Sequence, residues 1–241
     1  MDISAHKGLA VIGFVLIIFV SQSIWDLFSP VETNVAKILG VNVYFIVLLA
    51  ILYPIVFFIL TVPSGILLDR DFKFWLLIGS IITFIGGFSR IFIFNYWIIL
   101  ISQILAAIGQ PFILNAFVPF ADVFERKQSI LSVFTISMYA GTLYPLVTGF
   151  RFFSMGGTLL LIYPIAFISL VGITFLLLGI KSIDLKASIR IYDPRIIKAL
   201  VKDRETWILG ILMGLGILSY SNLISWLQPV LSSVGLGNLA G

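Results

Sequence analysis

Cysteine is absent from these 241 residues, which excludes disulfides, thiol nucleophiles and thiolate metal ligands. Histidine occurs once, as His6 before the first apolar segment, so the serines have no histidine base to activate them. No stretch gathers the carboxylates and imidazoles that hold a metal. The composition points away from an enzyme, and no cofactor is expected. Charge is scarce as well: Asp, Glu, Lys and Arg make up 11% of the chain, against about 25% in a soluble domain. The net charge of +4 reflects positive charge gathered on one side of a membrane, and no nucleic-acid partner is expected.

Hydrophobic residues fill the space that charge leaves, at 60% of the chain. They form seven apolar segments, at 8–28, 42–68, 74–92, 95–120, 129–151, 157–180 and 206–230. A hydrocarbon core about 30 Å thick needs roughly 20 apolar residues in helical form. Each segment is therefore read as a membrane-crossing helix. The first is too long for a signal peptide and no small-residue cleavage site follows it. Barrel strands would show short alternating patterns instead. The expected class is an all-α polytopic membrane protein with lipid as its surroundings. Its divisions are a six-helix bundle over 1–180, a linker over 181–205, and a seventh helix with the start of an incomplete C-terminal half over 206–241. Within the linker, PRIIKALVKDR at 194–204 predicts a short helix lying at the interface.

Basic residues sort between alternate connections. Lys7, Arg70, Lys73, Arg126, Lys127 and the basic residues of 181–204 lie on one side, leaving Lys37, Arg90 and Arg151 on the other. The richer side marks the cytoplasm, so a multi-pass protein of the cell membrane with a cytoplasmic N-terminus is expected. Arg90 and Arg151 mark outer helix ends, as entrance guards, lipid-phosphate ligands or snorkelling side chains.

Polar residues within apolar segments are costly and mark either sites or interhelical bonds. Helix one carries Gln22, Trp25 and Asp26, and helix four carries Gln103, Gln110 and Asn115. Helix five adds Ser137, Tyr139, Tyr144 and Thr148, and helix seven adds Ser219, Tyr220, Asn222, Ser225, Trp226 and Gln228. Two readings stand: one shared cavity, or separate interhelical hydrogen bonds of about 1 kcal/mol or less each. Gln103 leans to the second reading, Gln110 beside Pro111 to the first. The substrate-binding candidates are Trp25, Asp26, Gln110, Asn115, Tyr139 and Trp226. Aromatic faces stabilise quaternary ammonium groups, so the substrate class is a small molecule of cationic or amphipathic character. No acidic residue occupies the middle of a helix, which leans towards facilitated transport.

PSGILLDRDFK at 63–73 resembles the loop signature of the major facilitator superfamily. Gly65, Asp69, Arg70 and Lys73 fit that signature between helices two and three, while Phe72 stands where a second glycine is usual. The resemblance implies a carrier of two six-helix halves, each built from inverted three-helix repeats. This chain would supply the N-terminal half and the start of a C-terminal half that is otherwise missing. Gly65 would permit tight helix contact, and Asp69, Arg70 and Lys73 would lock the halves together on the cytoplasmic side. WDLFSPVETNVAKILGV at 25–41, GQPFILNA at 109–116 and the Glu125–Arg126 pair look like the feline leukaemia virus subgroup C receptor-related branch. That branch is associated with haem, choline or ethanolamine transport. Its helix-one tryptophan corresponds to Trp25 and its helix-four glutamine to Gln110, and Asn115 also fits. Of its Asn-Gln-x-Gly element in helix five, only Gly141 is kept. The implied function is alternating-access movement of a small organic solute. The alternatives are a receptor-like or lipid-interacting scaffold without transport, and an inactive transporter fragment.

Overall fold

The computed structural model describes residues 3–93, 95–183, 199 and 201–234, and all regular structure among them is helical. Helix α1, Ile3–Trp25, ends where Pro30 enters a tight turn over Ser29–Val31. A short α2, Glu32–Leu39, follows and stops at Gly40, whose φ of 64° is left-handed. The amides of Gly40 and Val41 turn back to the carbonyls of Lys37 and Ala36, satisfying the helix end. Side-chain caps start the next three rods. Asn42 accepts from the Tyr44 amide at 3.0 Å to open α3, Val43–Arg70. Asp71 accepts from the Phe74 amide at 3.1 Å to open α4, Phe72–Phe88, and Asn95 does the same for Ile98 at 3.1 Å in α5, Tyr96–Asn115. A five-residue α6, Phe117–Ala121, continues from Ala116, so the fourth expected segment is two helices rather than one.

The fifth and sixth expected segments form α7, Lys127–Gly179, broken only at Gly156 and Gly157. Gly157 has φ 67° and ψ −159°, a region open to glycine alone. The seventh segment is α8, Arg204–Ser233. The expected interfacial helix at 194–204 falls largely outside the described residues.

Among the described residues, five helical stretches are long and apolar enough to cross a membrane: His6–Leu39, Val43–Arg70, Phe72–Phe92, Tyr96–Asn115 and Lys127–Ser182. The last has 56 residues, the length of two crossings, and its glycine break divides it accordingly. Phe58, Trp97, Phe167 and Val147 point outwards from these rods, an apolar surface suited to lipid.

Named contacts give the direction of each packing. Ser137 in the first arm of α7 bonds Val15, and Gly141 lies against Phe19 and Gln22, so this arm runs parallel to α1. In the second arm, Gly172 lies against Leu16 and Gly179 against His6 and Ala10, so that arm runs antiparallel to α1. Helix α5 repeats the arrangement with different partners. Gln103 bonds Leu49 and Asn115 bonds Thr61, making α5 parallel to α3. Gly79 meets Phe112 and Gly86 meets Ala106, making α5 antiparallel to α4. Phe14 stacks on Phe120 just beyond α5, while Trp25 lies near Gln103, so α1 and α5 are themselves antiparallel. The first rod of each consecutive three thus sits between the second and third rods of the other three. Both antiparallel seams are made by glycines where any Cβ would overlap the facing helix, at Gly79, Gly86 and Gly109 in one and Gly13 and Gly179 in the other.

These directions give the bundle two ends. One carries Arg70, Asp71, Asn115, Lys127 and Lys181; the other carries Trp25, Arg90, Arg151 and the Gly156–Gly157 turn. Helix α8 touches the rest near the Arg90 end, and every described residue from Val201 to Leu212 is exposed.

Candidate functional site

Burying polar side chains among apolar helices requires partners for each of them, and the densest such group lies at the Arg90 end. Arg90 is fully buried. Its Nε donates to Ser102 Oγ at 3.0 Å, one Nη to the Ile24 carbonyl at 3.2 Å and the other to Gln103 Oε1. Its guanidinium also lies 5.4 Å from the centroid of the Phe28 ring. Gln103 relays the cluster outward: its Nε2 donates to the carbonyls of Leu49 at 2.8 Å and Trp25 at 3.3 Å. One arginine and one amide therefore tie α1, α3, the α4–α5 connection and α5 together. The sequence placed Arg90 at an outer end facing water, lipid or an entrance; it faces the interior instead.

Trp25 is held beside this cluster. Its indole N–H donates to the Ala50 carbonyl at 3.0 Å, and its ring stacks on Tyr53 at 5.9 Å between centroids. Tyr53 in turn donates to the Ser21 carbonyl at 2.9 Å. From α8, Tyr220 approaches Trp25 edge-on at 6.0 Å and donates its hydroxyl to Asp26 Oδ2 at 3.3 Å. Two further contacts hold α8 there. Gln228 donates to Thr33 Oγ1 at 2.8 Å and accepts from the Thr33 amide at 3.2 Å, and Trp226 lies edge-on to Tyr44 at 5.7 Å. A cavity of about 10 Å³, room for one water molecule, opens between Trp25, Phe28, Glu32, Leu49 and Gln103. Glu32 and Asp26 are both buried, and Glu32 Oε2 has no hydrogen-bond partner.

The six sequence candidates do not all gather here. Trp25 and Asp26 both meet Tyr220 of α8, while Trp226 lies two turns along α8 against Tyr44 at the start of α3. Gln110 lies two turns further along α5, buried and making no hydrogen bond with a described residue. Asn115 lies at the opposite end, where its Nδ2 donates to the Thr61 carbonyl at 2.8 Å and Ser64 Oγ at 2.9 Å. Tyr139 is exposed on the first arm of α7. The side chains of Asn222 and Ser225 lie outside the described residues.

At the loop signature, a Cβ on Gly65 would meet only Asn115 Nδ2 at 3.7 Å, so no tight approach depends on that glycine here. Asp69 and Arg70 are exposed, and the capping carboxylate is Asp71. Among the described residues the one ion pair is Lys127 with Asp122.

Sequence reasoning missed Arg90, Glu32 and Tyr53 as members of the cluster. A usable signal for Arg90 was the adjacent polar pair Ser102–Gln103 within an otherwise apolar run, a place where a buried cation finds acceptors. Glu32 follows Asp26 across Pro30, where helical spacing no longer reports which residues share a face. Compared with protein-family models and with curated proteins, the chain matches none.

Proposed function

We propose that this chain forms the first half of a carrier of the major facilitator type, moving a small cationic or amphipathic organic solute by alternating access. The observation that carries the reading is the corner of Trp25, Tyr53 and Tyr220 with Asp26 beneath it, built across the joint between α1 and α8. Aromatic faces around a desolvated cation contribute about 1–2 kcal/mol each, and a carboxylate adds attraction. The cross-packed sets of three rods support it, since a two-fold axis in the membrane plane generates that pairing from an inverted repeat. The mode of α8 docking supports it too. Among the described residues α8 meets the bundle at the Arg90 end, which the basic-residue bias places outside the cell, and is exposed over Val201–Leu212, as in a carrier closed on its outer side. Gly210, Gly214 and Gly216 of α8 face open space, a surface that a second bundle would cover.

The test is uptake of labelled choline into proteoliposomes holding the full-length protein. Saturable uptake that falls at least tenfold in Trp25→Ala is expected. Absence of saturable uptake for choline, ethanolamine and haem alike would leave the receptor-like or lipid-interacting scaffold as the better reading.

A further inference from the structure

The buried charges at the Arg90 end do not balance. Asp26 and Glu32 are both about 99% buried and flank the tight turn Ser29–Val31, so two carboxylates are enclosed where α1 gives way to α2. Arg90 is the one buried basic residue among the described residues, and no carboxylate lies within 4 Å of it. Its donors are already engaged by Ser102, the Ile24 carbonyl and Gln103. Two carboxylates against one guanidinium leave one negative charge in surroundings of apolar side chains. An isolated charge there is strongly disfavoured. A positive charge of some kind has to complete the group.

The geometry separates the candidates. A hard metal ion surrounds itself with about six oxygens. The cavity beside Glu32 offers side-chain oxygens only from Ser29, Glu32 and Gln103, and that of Gln103 is already held by Arg90. The remaining lining is Trp25, Phe28, Ile46, Leu49 and Ala50, and the space fits one water. A proton needs neither coordination shell nor volume. Glu32 Oε2, without a partner and lining that cavity, is an acceptor ready for it.

We propose that Asp26 and Glu32 share one proton, forming a proton-binding site at the elbow between α1 and α2. The groups around the pair are Tyr220 from α8, bonded to Asp26, Tyr53 from α3, stacked on Trp25, and Ser29 and Gln103, which line the cavity with Glu32; Arg90 is bonded to that Gln103, and Lys37 lies further along α2. Tyr220 donates to Asp26 Oδ2, which favours Asp26 as the ionised member and Glu32 as the protonated one. Tyr53 donates to the Ser21 carbonyl, and Lys37 is exposed, so neither neutralises the pair. When α8 moves away, Asp26 loses the Tyr220 hydroxyl and the site opens to the outer solution. In the carrier proposed above this proton is the coupling ion, a step that rests on the transport reading. The binding site itself does not. It argues against the leaning towards facilitated transport, because two acids are buried where α1 gives way to α2.

Infrared difference spectroscopy of the full-length protein in liposomes reads the proton directly, without any solute. The expected result at neutral pH is a carbonyl stretch from one protonated carboxylic acid per chain, shifted in deuterium oxide. It should disappear in Glu32→Gln and persist in Asp203→Asn, an exposed acid that serves as control. Asp26→Asn provides a second variant: removing the ionised partner removes its repulsion, so it should leave the Glu32 band but lower the pH at which it bleaches. Thermal melts of both variants within a few degrees of the parent protein establish that they fold. No such band in the parent, a band that survives Glu32→Gln, or a band abolished by sodium at constant pH would each overturn the proposal. Loss of choline uptake with the band intact would overturn only the transport reading.

Discussion

Gln103→Leu removes the amide that joins three helices while keeping the side chain's size. It deletes two neutral hydrogen bonds, to the carbonyls of Trp25 and Leu49, and one from the Arg90 guanidinium. Interhelical bonds within a bilayer average about 0.6 kcal/mol, so the neutral pair contributes roughly 1 kcal/mol. A bond to a charged group contributes about 1.5–3 kcal/mol, and more weight falls on it here because Arg90 is fully buried. The expected destabilisation is therefore about 2.5–4 kcal/mol. For a chain of this size that corresponds to a fall of roughly 5–15 °C in Tm, read by scanning fluorimetry in one detergent. A double-mutant cycle with Arg90→Met isolates the charged bond and should show a coupling of about 1.5–3 kcal/mol. Asn115→Leu is the internal comparison. It loses two neutral bonds, to Thr61 and Ser64, and should cost only about 1 kcal/mol. A Gln103→Leu melt no lower than that of Asn115→Leu, or strict additivity with Arg90→Met, would refute the account of the cluster.

Gly109→Ala would push a Cβ into Thr83 and the Gly79 carbonyl, and a loss of about 1–3 kcal/mol is expected in the same melt. Gly214→Ala meets nothing within 4 Å and should instead gain up to about 1 kcal/mol from helix propensity; equal shifts for the two would contradict the packing. Asp203 opens α8 by accepting from the Thr206 amide at 2.9 Å and hydroxyl at 2.7 Å, and these donors hold its carboxyl below the ordinary range. Because its pKa is lowered on folding, the cap is present at neutral pH and is lost as pH falls through that depressed value. Amide exchange at Thr206 should stay slow down to about pH 4 and quicken below it, and Asp203→Asn should lower this dependence.

The seven helical rods were legible because each apolar segment is nearly all apolar and is bounded by the residues that cap or break helices. Asn42, Asp71 and Asn95 are caps in the structure as their place before an apolar run suggests. The partner of each rod was not legible. Gly79 and Gly86 look the same in the sequence as Gly210 and Gly214, yet the first two lock α4 onto α5 and the others face nothing. A small residue reports that a close approach is possible and says nothing about what approaches. The same limit explains the site. Gln103 and Gln110 share a face of α5, but one is bonded to three neighbours and the other to none among the described residues.

Helix α8 shows why the site is divided between what periodicity could and could not find. Its attachments among the described residues include Tyr220 to Asp26 and Trp25, Gln228 to Thr33 and Trp226 to Tyr44, polar or aromatic contacts at the Arg90 end. Hydrogen bonds of that kind contribute about 1 kcal/mol or less each between membrane helices. These contacts among the described residues differ in kind from the glycine-packed seams of the six rods, where whole helix faces interlock. Both kinds of contact lie on the same helix α1: Gly13 locks its beginning to the second arm of α7, while Trp25 and Asp26 meet α8 at its end. In the proposed carrier, motion of α8 would uncover Asp26 and Trp25 while the glycine seams hold the six rods together.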